Sequence, residues 1–201
     1  MAVPGLRQDL RQKVMAIAFS QSGYFTAAQA LSVGYTYQSQ KYHVDHGNWL
    51  RVDRALFRLP HWPPDRDDSY VRWSLWSGGR AVVSHESALA VHELSDIDPV
   101  LVHLTVEATF HARDDGVVLH VDHLGAVDVE DRGSWSVTTP VRTLQDVAAS
   151  ALSQEHIDSA VADALRLGRV TRRVLLRVTD GGDPRAALRL ERALATAETR
   201  P

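Results

Sequence analysis

Cysteine is absent from this 201-residue sequence, and lysine occurs only twice, as Lys13 and Lys41. Without cysteine there are no disulfides, thiolate metal centres or thiol nucleophiles, and the cytoplasm is the expected setting. The scarcity of lysine bears on nucleic-acid hydrolysis. A restriction-endonuclease-like site needs two acids and a lysine on a strand, and residues 62–201 hold no lysine. No P-loop, G-x-S-x-G or G-S-x-x-x-D-x-D nucleotidyltransferase run occurs either. The chain is therefore not expected to be an enzyme, and no cofactor is implied. No apolar run approaches the roughly 18–20 residues of a membrane span, so no membrane association is expected. The opening stretch carries Arg7, Asp9, Arg11 and Lys13 ahead of an apolar segment, Val14 to Phe19, too short for a signal peptide. It reads better as an amphipathic helix.

What is present is ordinary in amount and uneven in placement. Hydrophobic residues make up 44% and charged residues 23%, enough to build one large domain or two small ones. Residues 1–62 carry seven basic groups against three acidic, a net of +4, while residues 63–201 carry 15 against 22, a net of −7. A basic amino-terminal module on an acidic body is the asymmetry of a protein that meets a polyanion with one end. The boundary is expected in H-W-P-P-D-R-D-D-S at 61–69, where two prolines and three aspartates disfavour regular structure.

The first module reads as three helices and a ribbon. Asp9 to Ser20 places Leu10, Val14, Ile17 and Ala18 on one face, and Gly23 ends that helix. Thr26 caps a short second helix closed by Gly34, and Thr36 caps a third, Tyr37 to His46, closed by Gly47. Residues 49–59 then form a hairpin turning at Asp53-Arg54. This is the order of a winged helix-turn-helix. The second module reads as α+β. Val71 to Trp76 is helix or strand, and Ala81 to Val83 is short and apolar. Ser84 caps the helix H-E-S-A-L-A-V-H-E-L. Strands follow at 100–107, 117–121 and 135–138, the first two joined by a turn at R-D-D-G, 113–116. After Pro140 come helices 141–151, 154–167, 171–178 and 184–197, the last two separated by Gly181-Gly182. The expected class is α+β, with a winged helix-turn-helix at 1–62 and a mixed domain with a small sheet and a helical end at 63–201.

The third helix is the first candidate site. With Gln40 and Val44 inward, its outer face carries Gln38, Tyr42 and Asp45, flanked by Ser39, Lys41 and His46. Gln suits adenine edges, Ser and Tyr reach bases or phosphates, and Lys favours phosphate or guanine. The candidate DNA contacts are Thr36, Gln38, Ser39, Lys41, Tyr42 and His46 on the helix, with Arg51, Arg54 and Arg58 on the wing. The same pattern also suits a solvated helix in a protein-binding module. A second candidate is metal: His85 and His92 are seven apart and would need a third ligand such as His103 or His123 for hydrolysis. The alternative is a capped helix packing Ala88, Leu89, Val91 and Leu94 on the sheet. Asp122 and Asp128 are either paired acids or solvated turn carboxylates. Arg169, Arg172, Arg173, Arg177, Arg185, Arg189 and Arg192 form either the wet face of a packed helical end or a partner surface.

The stretch from G-Y-F-T-A-A-Q to R-V-D-R-A-L-F-R-L resembles the amino-terminal winged helix-turn-helix of AbiEi-type antitoxins, of the type IV toxin–antitoxin and abortive-infection systems. T-A-A-Q is Thr26 to Gln29, the glycine turn is Gly34-Tyr35-Thr36, and the hairpin motif is Arg51 to Phe57. A-V-V-S-H-E-S-A-L-A-V-H-E-L, V-H-L-T-V and V-T-T-P-V-R-T-L-Q-D-V-A are similar to the following domain, so the likeness reaches about residue 165. The resemblance implies an antitoxin that represses its own operon through double-stranded DNA. It also implies a countered nucleotidyltransferase-like toxin. The seven basic groups by themselves suggest a weak monomeric grip on DNA, strengthened by a homodimer or by several copies on repeated sites. The chain departs from the family pattern where Tyr37 and Gln38 replace paired arginines, Gln40 a core leucine and Ala55 a hairpin glycine. A transcriptional regulator without a toxin, its second domain dimerising or sensing a ligand, is the other reading.

Overall fold

The computed structural model describes residues 4–179 and 183–199. Gly181 and Gly182, expected to separate the last two helices, lie outside the described residues, as do Arg200 and Pro201. The chain is α+β and divides into two compact units. The first runs to Gly79 and takes in Gly133–Trp135; the second holds Arg80–Arg132 and the rest from Ser136.

The first unit contains α1 (Pro4–Phe19), β1 (Tyr24–Thr26), α2 (Ala27–Ser32), α3 (Tyr37–Asp45), β2 (Leu50–Asp53), β3 (Leu56–Arg58) and α4 (Asp68–Trp76). β1, β3 and β2 form an antiparallel sheet in that order, which completes a winged helix-turn-helix. The T-A-A-Q motif is a capping box. Thr26 Oγ1 accepts from the Gln29 N–H at 3.1 Å, and the Gln29 side-chain carbonyl accepts from the Thr26 N–H at 2.8 Å. Thr36 Oγ1 accepts from the Ser39 N–H and caps α3. Gly23 has φ +84°, and a Cβ there would lie 2.4 Å from the Trp62 ring. Only glycine fits that end of α1. The core joins Val14 and Ala18 of α1 to Phe25, Ala30, Tyr35, Trp49 and Phe57. Phe25 and Trp49 meet edge to face at 4.8 Å, a favourable aromatic geometry.

β1 was not visible in the sequence, because three residues between a glycine and a cap show no alternation. The stretch 71–76 is helical. It belongs to the first unit, which thus extends past the boundary expected at 62. Arg58 Nη2 bonds Asp68 Oδ2 at 2.5 Å and ties β3 to the first turn of α4.

The second unit contains β4 (Val82–Val83), α5 (His85–His92), β5 (Val102–Val106), β6 (Val117–Val121), β7 (Val129–Asp131), β8 (Ser136–Thr138), α6 (Pro140–Ala149), α7 (Gln154–Arg166), α8 (Arg172–Thr179) and α9 (Pro184–Thr199). The sheet order is β6-β5-β4-β8-β7. β5 and β6 are neighbours, as expected, but parallel. Residues 107–116 therefore carry the chain back along the sheet, and R-D-D-G does not close a hairpin. Pro140 opens α6 behind the Thr139 cap. Leu144 and Val147 of α6, Ile157 and Val161 of α7, Leu175 of α8 and Leu190 and Leu194 of α9 meet in one core with Leu89 and Leu94. Arg189 closes the end of α6: its guanidinium donates to the carbonyls of Ala148, Ser150 and Leu152. A cation at a helix C-terminus satisfies carbonyls that have no partner within the helix. Among the described residues, no helix is long and apolar enough to cross a membrane.

Ala55, in the wing turn, has φ +59°, a left-handed conformation that costs a non-glycine residue about 1 kcal/mol. Ala55→Gly relieves that strain and frees the unfolded chain, and the gain exceeds the loss. The variant is expected to stabilise the first unit by up to about 0.5–1 kcal/mol. Denaturation followed by tryptophan fluorescence measures this, because Trp49, Trp62, Trp73, Trp76 and Trp135 all fall in that unit. An unchanged or lower midpoint would show that the turn tolerates alanine without strain.

Candidate nucleic-acid interface

Helix α3 is oriented by what it buries. Gln40 is 3% exposed, and its Nε2 donates to the carbonyls of Ala27 at 3.2 Å and Tyr35 at 3.4 Å. Val44 packs against the core from the same side, one turn on. His43 stacks on Trp49 at 4.7 Å, with Tyr35 edge-on to both. The opposite face is thereby turned outward: Tyr37, Gln38, Lys41, Tyr42 and Asp45 are all exposed. At spacings of three and four they form one continuous stripe about 13 Å long.

The candidate contacts differ in what else they do. Thr36 and Ser39 hold the start of the helix together. Besides the cap, Ser39 Oγ donates to the Thr36 carbonyl at 2.8 Å. Lys41 Nζ lies 2.6 Å from Asp45 Oδ2 one turn further along. Tyr42 stacks on His46 at 3.9 Å, and the His46 ring bonds the Tyr42 carbonyl at 2.8 Å. On the wing, Arg51 and Arg54 are exposed. Arg58 stands apart from them. Its guanidinium is half-buried, pairs with Asp68 and lies 4.7 Å from the Tyr24 ring centre, so its charge is engaged inside the unit. Sequence reading passed over Tyr37, which is 72% exposed at the first position of α3. Nothing in the sequence marked it, since Ala27, in the same place after the Thr26 cap, packs against the core.

The other candidates resolve differently. His85 and His92 do not converge: His92 Nε2 bonds the Thr138 carbonyl at 2.7 Å, while His85 stacks on His120 with ring centres 3.4 Å apart. His103 Nδ1 lies 2.7 Å from Glu86 Oε2, and His123 Nδ1 bonds Glu107 Oε1 at 2.9 Å near the surface. Among the described residues, no group of three or more histidines and carboxylates is placed to hold a metal ion. Ser84 occupies the cap position of α5, but its hydroxyl is turned to the His85 ring and to Thr105. Asp122 and Asp128 do not form a pair of free acids. Arg142 lies between them, bonded to Asp122, 4.0 Å from Asp128 Oδ2 and 2.6 Å from Asp146 Oδ1. Arg189 is tied to the end of α6, and Arg172 pairs with Glu198.

No family model and no curated protein sequence matches the chain. Among solved structures it is similar to the RV2827C protein from Mycobacterium tuberculosis. The identity is 14% and the TM-score 0.64, over 98% of this chain and 78% of that one. The likeness establishes the shared α+β fold.

The histidines make the second unit sensitive to acid. Burial lowers His85 to about 3, helped by the neighbouring His120, and burial also lowers His92 and His120. Their folded values lie below the unfolded one, so the unfolded chain binds more protons as pH falls beneath about 6.5, and stability is lost in that direction. Asp146 has the opposite sign: burial raises it to about 6, so its contribution falls as pH rises from about 4 to 6. His85→Gln is expected to flatten the dependence of unfolding free energy on pH between about 4 and 6. The change in slope is up to about 1.4 kcal/mol per pH unit. Urea titrations followed by far-ultraviolet circular dichroism measure the difference between the two proteins; equal slopes would show that His85 titrates normally.

Proposed function

We propose that this chain is a DNA-binding repressor, with α3 laid in the major groove and the wing on the flanking backbone. The observation that carries the reading is the exposed stripe of Tyr37, Gln38, Lys41 and Tyr42, presented beside the exposed wing arginines Arg51 and Arg54. These groups belong to a segment of net charge +4 in a chain of net charge −3. A basic end approaches phosphate while the acidic remainder discourages indiscriminate binding. Together with the resemblance to AbiEi-type antitoxins, this favours a cytoplasmic autorepressor that counters a nucleotidyltransferase-like toxin encoded beside it. Binding to repeated operator sites as a dimer would offset the small number of cations on each protomer. In this reading the second unit acts by binding and not by catalysis. A toxin-like neighbouring gene whose growth arrest is relieved by this chain would separate the antitoxin from a regulator without a toxin.

Fluorescence anisotropy against duplex DNA from just upstream of the gene, with a scrambled duplex beside it, tests the reading at several salt concentrations. Tighter binding to the upstream duplex, weakening as salt rises, is expected. Arg51→Ala with Arg54→Ala should lower the salt slope by about 1 for each phosphate that is no longer neutralised. Equal or undetectable binding to both duplexes would overturn the proposal. An unchanged slope in the double variant would remove the wing from the interface.

A further inference from the structure

Resting on that reading, we infer that the base pairs under α3 are A·T pairs, read chiefly by Gln38. The reasoning starts from which side chains on the stripe are free. Guanine is read mainly by Arg or Lys donating to its O6 and N7 acceptors. The exposed face of α3 has no arginine, and its one lysine, a point charge without the fork that matches guanine O6 and N7, lies 2.6 Å from Asp45 in a solvent-exposed pair. Gln38 remains, exposed on the second residue of the helix, with the donor and acceptor pattern that matches the N7 and N6 edge of adenine. Tyr37 and Tyr42, exposed by 72% and 54%, flank it with apolar ring surface suited to the thymine methyl group. Gln40 takes no part in base reading, since it is buried against Ala27 and Tyr35.

The test is selection of binding sites by the full chain from a duplex library with a randomised core, followed by anisotropy on the selected duplex and its single-pair variants. An A·T-rich core is expected. So is a loss of roughly 5- to 150-fold when the adenine facing Gln38 is replaced by guanine. Gln38→Ala, at an exposed position, should remove that discrimination while leaving the salt slope and the circular dichroism spectrum unchanged. Gln38→Arg should move the preference at that pair to guanine. A G·C-rich core, or Gln38→Ala with undiminished discrimination, would overturn the assignment while leaving a sequence-specific repressor in place. Failure to enrich any duplex, with no salt-dependent binding, would overturn both this inference and the DNA-binding reading beneath it.

Discussion

The side-chain amide of Gln40 sets the geometry on which the candidate interface depends. A buried amide that finds no partner costs about 1–3 kcal/mol, so a glutamine in a helix core is tolerated only where carbonyls wait for it. Here two do: Ala27 at the start of α2 and Tyr35 in the turn before α3. A leucine at this point would pack without choosing an angle. The glutamine fixes the rotation of α3 about its own axis relative to α2, and that rotation decides which side chains face out. Aromatic packing of His43 and Tyr35 on Trp49 holds the other end of the same helix. A helix only nine residues long depends on such contacts, since its own hydrogen bonds barely sustain it.

The second unit relies on two arginines in comparable ways. Arg142 gathers Asp122, Asp128 and Asp146, joining α6 to the segment after β6, while Arg189 closes the end of α6 from α9. The charges of Arg142 and Asp146 are largely buried, and groups at that depth are kept only when hydrogen-bonded, so that removing one leaves the other uncompensated. The same economy explains why residues that resemble a catalytic set are engaged structurally. Asp122 and Asp128 face a guanidinium, His85 stacks on His120, His92 bonds a backbone carbonyl, and His103 and His123 pair with Glu86 and Glu107.

Much of the fold was legible because its signals are local. A threonine three residues before a glutamine, a glycine where φ must be positive and a proline behind a threonine each act within one turn of chain, so the starts of α2, α3 and α6 can be read directly. Alternation at 100–107 likewise showed a strand, and 117–121 read as its partner. Their parallel pairing was not legible, because alternation identifies a face and not a direction. β1 and β7, at three residues each, are too short to show a period and exist only through their partners. Helix α4 looked like the far side of a linker. Its place in the first unit comes from Arg58 meeting Asp68, a pairing between residues ten apart that no periodicity shows.

By itself the sequence determined the class of fold, the winged order of the first unit, the uneven charge and the outward face of α3. Each of these follows from residues next to one another or one turn apart. Tertiary structure decided which candidates remain free to act. Arg58, Arg189, Asp122 and Asp128 look alike as charges in a string, yet each is engaged by its own partner in the folded chain. Gln38, Tyr42, Arg51 and Arg54 stay turned to solvent. The physical reason is that a charge or an amide has no fixed role until its neighbours are known. Those neighbours are brought together by the burial of the two cores, and composition alone does not place them.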